Sequence, residues 1–423
     1  MQEVAILGGC SRVGYQNCTR HQLPELTLLV DLGAGISSRD AIAQGPNFRD
    51  LDSENLNCLF THFHRDHATG VFKLQEWYPD DFIHFYGSPF TLGGIMSLLE
   101  KDRESLWPWQ FNAVEPYLVE QLSPDCQISS FPVEHSIMDP RGWSIQAENR
   151  HMVHLGDVKY LPVESLAHLE AQGPVDMVFM DATGAYDRGY SPDESKFNEL
   201  IESMIAASDK KHNRLIIVGF STHVPRWMSV IRMAAKYGKK VGFLGSSLTK
   251  MLSLASEYSD KEFSSHWDWA FCDLADSDVI IVTGCQGEYL AGLFKLAHGI
   301  DGNYLQPGDQ IVIASRLLPG NEMNLERIVR KIKEDFGHEV TIYRDSRIGT
   351  EYYADKRGHY GPSGHGYSRD LEKILRDLLR FSPNLVVVPL HAESPRRAAL
   401  ADIADKLGIA SILMGDYDTL RLN

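Results

Sequence analysis

The first half of the chain alternates short apolar runs with glycine, aspartate and proline, a pattern typical of β-strands separated by turns. Helical patterns at residues 68–78 and 88–107 interrupt these runs, so the sequence predicts sheets with helices outside them. The predicted strands are EVAILGG, LTLLVDLGAG, CLFTHFH, FIHFYGS, WSIQAE, MVHLGD and VDMVFMDATG.

From about Tyr186 the pattern changes to a regular alternation of helix and strand, which is typical of βαβ units and a parallel sheet. The stretch at residues 371–416 again reads as helix, strand, helix and strand. We therefore expect one domain built from residues 1–183 and 351–423, and a second domain at residues 184–350.

The composition is that of an ordinary globular protein: of 423 residues, 43% are hydrophobic and 23% are charged. The chain has no apolar run of eighteen residues and no signal-peptide pattern at its start, so we expect a soluble, intracellular and cytoplasmic protein without a membrane partner. Its six cysteines are dispersed without a CxxC pair, which favours neither a disulfide framework nor a thiolate zinc site.

The charge balance of 41 basic against 57 acidic residues gives a formal net charge of −16. Such a surface argues against bulk binding of a polyanion. A local groove could still bind nucleic acid, because phosphates can be held there by a few basic groups and metal ions while the rest of the surface is acidic.

The segment THFHRDHATG carries the most informative chemistry, since His62, His64, Asp66 and His67 fall within six positions. Imidazole and carboxylate suit Zn²⁺ or Mn²⁺. Two histidines spaced two apart share one face of an extended segment, and the second pair would begin the following helix. The pattern therefore predicts a metal site at the end of a strand.

This HxHxDH pattern resembles the signature of the metallo-β-lactamase fold, and further motifs of that family follow in its order. Asp31 in DLGAG is similar to the structural aspartate that supports the metal loop. His135 in FPVEHSI matches the third-motif histidine, and Asp157 in HLGD matches the carboxylate that bridges two metals.

The second half narrows the resemblance to the β-CASP nucleic-acid-processing group, and to ribonuclease J within it. Asp181 in MDATG resembles the motif A carboxylate, His365 in SGHG the motif B histidine, and His391 in PLHAE the motif C histidine. TGCQGE and PGDQIVIASRLLPGNE are similar to internal segments of that subfamily. The resemblance implies an α/β fold, a metallo-β-lactamase αββα sandwich with an inserted α/β β-CASP domain.

The same resemblance implies roles for these residues. His365 would contact the scissile phosphate, Asp181 would orient a ligand or His365, and Asp66 would belong to the catalytic centre as well as the metal site. The cofactors would be two divalent ions, zinc or alternatively manganese. One ion would be bound by His62, His64 and His135, the other by Asp66, His67 and His391, and Asp157 would bridge them.

The chain departs from the family pattern at several positions. Phe63 and Ala392 stand where the motifs usually have glycine, and His223 and Pro225 are further differences. The chain also stops where ribonuclease J would continue into a C-terminal domain. The substrate shape therefore stays open, as does the oligomeric state, with a homodimer as one alternative.

These observations together favour a two-metal phosphodiesterase that acts on single-stranded nucleic acid, with RNA as the expected partner. It would act as a 5′-exonuclease, with endonuclease cleavage as an additional mode. One alternative is a DNA-directed nuclease with the same core, because no residue reports a 2′-hydroxyl. Another is a non-catalytic scaffold subunit of a nucleic-acid processing complex.

Overall fold

The computed structural model describes residues 2–35, 45–48, 51, 54–99, 108–258, 272–315, 317, 320–337, 341–343 and 363–422. The chain divides into two compact units, one of Met1–Ser191 with Gly364–Asn423 and one of Pro192–Ser363. The domain boundary predicted between residues 350 and 351 lies outside the described residues, as does the end of the predicted helix at residues 100–107.

The first unit contains a seven-stranded mixed sheet in the order β19-β1-β2-β3-β4-β5-β6. Its strands are β1 (Gln2–Gly8), β2 (Cys18–Gln22), β3 (Thr27–Val30), β4 (Leu56–Leu59), β5 (Ile83–Gly87), β6 (Gln110–Ala113) and β19 (Thr419–Leu422). Neighbours from β19 to β3 pair antiparallel, whereas those from β3 to β6 pair parallel.

A second seven-stranded sheet of the same unit has the order β18-β17-β11-β10-β9-β8-β7. Its strands are β7 (Val119–Ser123), β8 (Cys126–Pro132), β9 (Arg141–Ala147), β10 (Arg150–His154), β11 (Met177–Asp181), β17 (Val386–Leu390) and β18 (Ala410–Ser411). Strand β17 therefore enters the sheet beside β11, although more than two hundred residues separate them.

The two sheets pack face to face around one apolar core that includes Leu28, Trp143 and Phe179. Trp143 is fully buried, and burying a side chain of this kind contributes roughly 1.5–3 kcal/mol. Helices cover the outer faces, so the predicted αββα sandwich is confirmed. They are α1 (Arg65–Ala68), α2 (Val71–Trp77), α3 (Pro89–Leu99), α4 (Val163–Gln172), α10 (Ser368–Leu379) and α11 (Ser394–Lys406).

The second unit is built on a five-stranded, wholly parallel sheet in the order β13-β14-β12-β15-β16. Its strands are β12 (Leu215–Val218), β13 (Val241–Leu244), β14 (Val279–Val282), β15 (Gln310–Ile313) and β16 (Thr341–Tyr343). The helices are α5 (Glu194–Ala207), α6 (Val224–Lys236), α7 (Ser246–Tyr258), α8 (Gly292–His298) and α9 (Glu322–Phe336), with 3₁₀ turns at Leu274–Asp276 and Ile300–Gly302.

The central strands of this unit, LIIV and VIIV, are apolar at every position and completely buried. Parallel sheets bury both faces under helices, which explains the continuous apolar runs and confirms the predicted alternation of helix and strand. Within the described part of the chain, none of the helices combines the length and apolar character that crossing a bilayer requires.

Candidate metal centre

The HxHxDH segment connects the C-terminal end of strand β4, an interior strand of the first sheet, to helix α1. His62 and His64 lie in the connecting loop, and Asp66 and His67 lie inside the short helix. The carbonyl of His64 accepts hydrogen bonds from the backbone N–H groups of His67, at 3.1 Å, and Ala68, at 2.9 Å. The turn at His64 thus brings the two halves of the motif back toward each other.

Three imidazole nitrogens converge at the first ligand group. Nδ1 of His64 lies 2.9 Å from Nε2 of His62 and 3.1 Å from Nε2 of His135. Oδ2 of Asp157 lies 3.7 Å from Nε2 of His62 and 3.4 Å from Nε2 of His135. All four residues offer one ligand atom within 4.8 Å of one another, so this group could hold a metal ion.

Hydrogen bonds on the outer sides of the rings decide which nitrogens face inward without a proton. Nδ1 of His135 donates to the carbonyl of Gly364 at 2.8 Å. Nδ1 of His62 donates to Oγ1 of Thr61 at 3.0 Å, because that hydroxyl itself donates to the Asp31 carboxylate. Both Nε2 atoms therefore present lone pairs to the centre, the arrangement found for metal-ligating histidines.

The second ligand group consists of Asp66, His67 and His391, which also offer ligand atoms within 4.8 Å of one another. Oδ2 of Asp66 lies 3.8 Å from Nε2 of His67 and 3.4 Å from Nε2 of His391. Nδ1 of His67 faces away and donates to Oδ2 of Asp31 at 2.8 Å. Its Nε2 is therefore directed toward the group.

Asp157 lies between the two groups and turns one oxygen toward each. Whereas Oδ2 faces the first group, Oδ1 lies 3.2 Å from Nε2 of His67 and 3.5 Å from Nδ1 of His391. The side chain is 4% exposed. A buried carboxylate is costly unless it is paired or coordinates metal, so its position between the groups fits a bridging ligand.

Burial and charge influence the protonation of these histidines in opposite directions. Burial lowers the pKa of His62 and His135 well below the ordinary value and that of His64 to about 4, which favours the neutral imidazole that binds metal. Burial would also lower the pKa of His67, but the carboxylates of Asp157, Asp31 and Asp66 outweigh it and raise that pKa. The donor set as a whole fits a pair of divalent cations.

His365 and Asp181 form a hydrogen-bonded pair beside the ligand groups. Nδ1 of His365 donates to Oδ2 of Asp181 at 2.7 Å, and its Nε2 lies 3.9 Å from Oδ2 of Asp157. Burial would lower the pKa of His365, but the charges of Asp181 and Asp157 outweigh it and raise the pKa to about 9. The side chain is 20% exposed, so the imidazole reaches the surface of the site.

The glycine before His365 allows this segment to pass very close to the first ligand group. A Cβ atom on Gly364 would lie 2.4 Å from Oγ of Ser136 and 2.8 Å from Nδ1 of His135. Any side chain there would displace the hydrogen bond that orients His135. The SGHG segment therefore supports one ligand through its backbone while it presents His365.

Several site residues were not found from the sequence. The amide nitrogen of Asn17 lies 3.1 Å from Nε2 of His67 and 3.1 Å from Nδ1 of His391. Thr61 connects the Asp31 carboxylate to His62, and Thr183 contacts His391. Asparagine and threonine are common in loops, and no spacing signal joins residues so far apart along the chain.

The positions that depart from the family pattern are accommodated inside each unit. The ring of Phe63 packs on Gly94 of helix α3, where a Cβ atom would lie 2.5 Å from the ring. In the second unit Nε2 of His223 lies 3.2 Å from Oε1 of Glu194, which also pairs with Arg226 at 2.5 Å. Burial would raise the pKa of Glu194, but Arg226 and His223 hold it well below its usual range.

A sandwich of two mixed sheets with convergent histidine and aspartate groups at its edge defines a metallo-β-lactamase type of protein. Comparison with family models agrees, because residues 28–220 match the beta-lactamase superfamily domain and residues 212–332 match the beta-CASP domain of ribonuclease J. The chain belongs to the metallo-β-lactamase superfamily and carries a β-CASP domain of the ribonuclease J kind.

Distant relatives extend over nearly the whole chain. Ribonuclease J of Mycolicibacterium smegmatis is 27% identical over 96% of this chain, which spans 71% of that protein. Ribonuclease J of Sinorhizobium meliloti is 28% identical over 84% of this chain, and the alignment covers 60% of that protein. A protein of unknown function from Enterococcus faecalis V583 has the same fold over the full length of both chains, with a TM-score of 0.66 at 13% identity.

Proposed function

We propose that this chain is a two-metal phosphodiesterase that cleaves single-stranded RNA. The observation that carries the proposal is the position of Asp157, whose two oxygens face two separate ligand groups. Two cations that share a carboxylate in this way can stabilise the attacking and the leaving oxygen of one phosphoryl centre. A single-metal or purely structural site would not need the second group.

In the proposed centre the first ion would be held by His62, His64 and His135 and the second by Asp66, His67 and His391, with Asp157 offering one oxygen to each group. Zinc suits this mixture of imidazole and carboxylate donors, and manganese is the alternative. When bound, the ions would supply Lewis-acid stabilisation of phosphate charge and would lower the pKa of a bound water. Asp31 fixes the geometry, since its carboxylate accepts from Nδ1 of His67 and from Oγ1 of Thr61.

His365 is the proposed acid that protonates or hydrogen-bonds the oxygen leaving the phosphate. Asp181 holds the proton on Nδ1 and favours the charged imidazolium, so Nε2 can donate toward the site. General acids of this kind typically contribute about 10²–10⁴-fold to the rate. Asp181 thus acts through His365 and does not itself contact the substrate.

RNA is the proposed substrate because the curated relatives that align with most of the chain are named ribonuclease J. We propose attack from the 5′ end, leaving 5′-phosphates, with endonuclease cleavage as an additional mode. A formal net charge of −16 disfavours bulk binding of a polyanion, so we expect the phosphate contacts to be concentrated near the proposed metal centre.

The test is cleavage of matched RNA and DNA oligomers with a 5′-phosphate, labelled at either end, with Mn²⁺ or Zn²⁺ added. We expect the RNA to be degraded, with the 5′ label released first as a mononucleotide while the 3′-labelled strand shortens. A chelator and the His64→Ala variant should each abolish cleavage.

Faster cleavage of DNA than of RNA would contradict the proposed substrate while leaving the metal centre intact. Full occupancy by two ions without cleavage of either oligomer would contradict the phosphodiesterase and favour a scaffold role.

A further inference from the structure

Thr183 connects the two chemical parts of the site. It follows strand β11 and is 7% exposed. Its backbone N–H donates to Oδ1 of Asp181 at 2.7 Å, and its hydroxyl donates to the carbonyl of His391 at 2.9 Å. One small residue therefore contacts the carboxylate that orients His365 and the backbone of a proposed ligand of the second ion.

The backbone of His391 needs such support because it adopts a left-handed conformation, with φ of 59°. Residues other than glycine rarely adopt this region, and they persist there only when the surroundings hold them. Strand β17 ends at Leu390, so the change of direction occurs at His391 itself. The direction of its imidazole depends on this turn, and the Thr183 hydroxyl holds the carbonyl at the turn.

Thr183 itself is held firmly by the backbone around it. The N–H of Ala182 donates to the carbonyl of Leu390 at 2.9 Å, and the Arg396 guanidinium donates to the carbonyl of Thr183. A Cβ atom on Gly184 would lie 2.0 Å from the carbonyl oxygen of Gly366, so the loop packs directly against the SGHG segment. The backbone from which the hydroxyl reaches the carbonyl of His391 is thus anchored on both sides.

We propose that Thr183 is a positioning residue whose hydroxyl fixes His391 against the second metal ion. The inference rests on the proposed two-metal centre and adds a residue to which the sequence motifs assign no role. The Thr183 hydroxyl donates to the carbonyl of His391, so its proposed effect on the ion acts through that residue. The hydroxyl determines how well His391 is oriented as a ligand. Loss of the hydroxyl should therefore weaken the binding of one ion and leave the binding of the other unchanged.

The test measures release of each metal ion to a competing chelator from the purified full-length holoprotein. Thr183→Val removes the hydroxyl from a side chain of the same shape, whereas Thr183→Ser keeps it. We expect the valine variant to retain one ion normally and to bind the other about 10–100-fold more weakly, which is the usual cost of losing a group that orients a ligand. The serine variant should resemble the wild type.

Activity supplies a second readout. Excess metal should restore cleavage by Thr183→Val, because the defect lies in occupancy of the ion and not in proton transfer. A purely structural role would lower the unfolding temperature without selective loss of one ion. If the valine variant does not fold, the Ala and Ser variants at position 183 give the same comparison, since they differ by one hydroxyl oxygen.

The possible failures are distinguishable. Two ions in the wild type with unchanged retention in the valine and alanine variants would overturn the role of Thr183 alone. An equal loss of affinity for both ions would overturn the role of Thr183 as well. A wild-type protein that binds no second ion would overturn both this inference and the proposed function.

Discussion

His365 and His391 lie in the same site, but their nitrogens have different surroundings. Nδ1 of His365 donates to Asp181, and its Nε2 is 3.9 Å from the nearest oxygen of Asp157. His391 instead faces both Asp66 and Asp157 at 3.4–3.5 Å. This contrast fits the proposed roles of His365 as proton donor and His391 as metal ligand. Because Asp157, Asp181 and His365 also offer ligand atoms within 4.8 Å of one another, single substitutions are needed to test the assignment.

For His365→Ala we expect both ions to be retained while the single-turnover cleavage rate falls about 10²–10⁴-fold, since a proton-donating group is lost. The rate should not recover with excess Mn²⁺. Elemental analysis of the variant, together with cleavage of a 5′-phosphorylated strand, measures both effects. Loss of metal from this variant would show that His365 is a ligand.

For His391→Ala we expect the second ion to be lost, because removing one ligand weakens its retention. Cleavage should fall and then recover in part as Mn²⁺ is raised. A metal titration followed by the same assay measures this recovery, with His365→Ala as the matched control. Equal metal content in the two variants would contradict the assignment.

A pair of buried histidines outside the metal groups predicts a pH dependence of stability. Nε2 of His21 lies 2.7 Å from Nε2 of His154, and burial lowers the pKa of His21 from 6.5 to about 3 and that of His154 well below 6.5. Between about pH 3 and 6.5 the unfolded chain binds a proton at His21 that the folded chain does not. The free energy of unfolding should therefore fall as the pH drops below 6.5, by up to about 1.4 kcal/mol per pH unit for each such histidine.

Denaturant unfolding between pH 4 and 6.5 checks this expectation. His21→Gln should give a flatter dependence than the wild type, because one titrating group is removed and the amide can still donate to His154. His212→Gln, at an exposed position, serves as the control and should leave the slope unchanged. Identical slopes in the wild type and His21→Gln would contradict the account.

Individual site residues were predictable where their type and spacing, or a family motif, marked them. His62, His64, Asp66 and His67 fall within six positions, so their type and spacing indicated metal chemistry directly. Asn17 could not be found in this way, because its amide reaches His391 across 374 positions of sequence. Its contribution depends on where the backbone passes in the folded chain, which local pattern does not report.

At the scale of elements, apolar periodicity predicted the central strands of the second unit, β12 and β14, and helices such as α5, α6 and α10. It did not single out helices α4 and α9. It did not predict β2 (CTRHQ), β6 (QFNA), β7 (VEQLS), β8 (CQISSFP) or β19 (TLRL), whose polar residues resemble those of loops. Among the strands that the structure describes, β6 and β7 are the last of their sheets, so each pairs with a described neighbour on one side only. Pairing with a preformed neighbour stabilises such strands more than their own composition does.

Helix α3 provides a test of packing at the metal loop. Phe63 stands between His62 and His64 in the sequence, and its ring lies against Gly94. The substitution Gly94→Ala would therefore overpack this contact. Overpacking typically costs about 1–3 kcal/mol, which exceeds the gain of up to about 1 kcal/mol from replacing glycine in a helix. We therefore expect net destabilisation and weaker metal retention.

Thermal unfolding and metal content of Gly94→Ala, Phe63→Leu and the double variant measure this contact. The double variant should lose less stability than the sum of the two single variants, because the smaller side chain relieves the clash. Strict additivity would show that Phe63 and Gly94 are not coupled.

At the scale of the whole molecule, every proposed ligand and the His365–Asp181 pair lie in the first unit, which the chain leaves after Ser191 and re-enters at Gly364. The returning strand β17 pairs parallel to β11, with Leu390 opposite Asp181. His391 and Asp181 therefore lie at the C-terminal ends of two neighbouring parallel strands. The order of motifs predicted these residues, but the strand pairing that joins them is visible only in the folded chain.

Elemental analysis of the purified full-length protein tests the central claim most directly. With seven side chains divided between two groups and Asp157 facing both, we expect two zinc or manganese ions per chain, and Asp157→Asn should lower that number. A wild-type protein without bound metal, whose nuclease activity also persists in chelator, would contradict the two-metal centre.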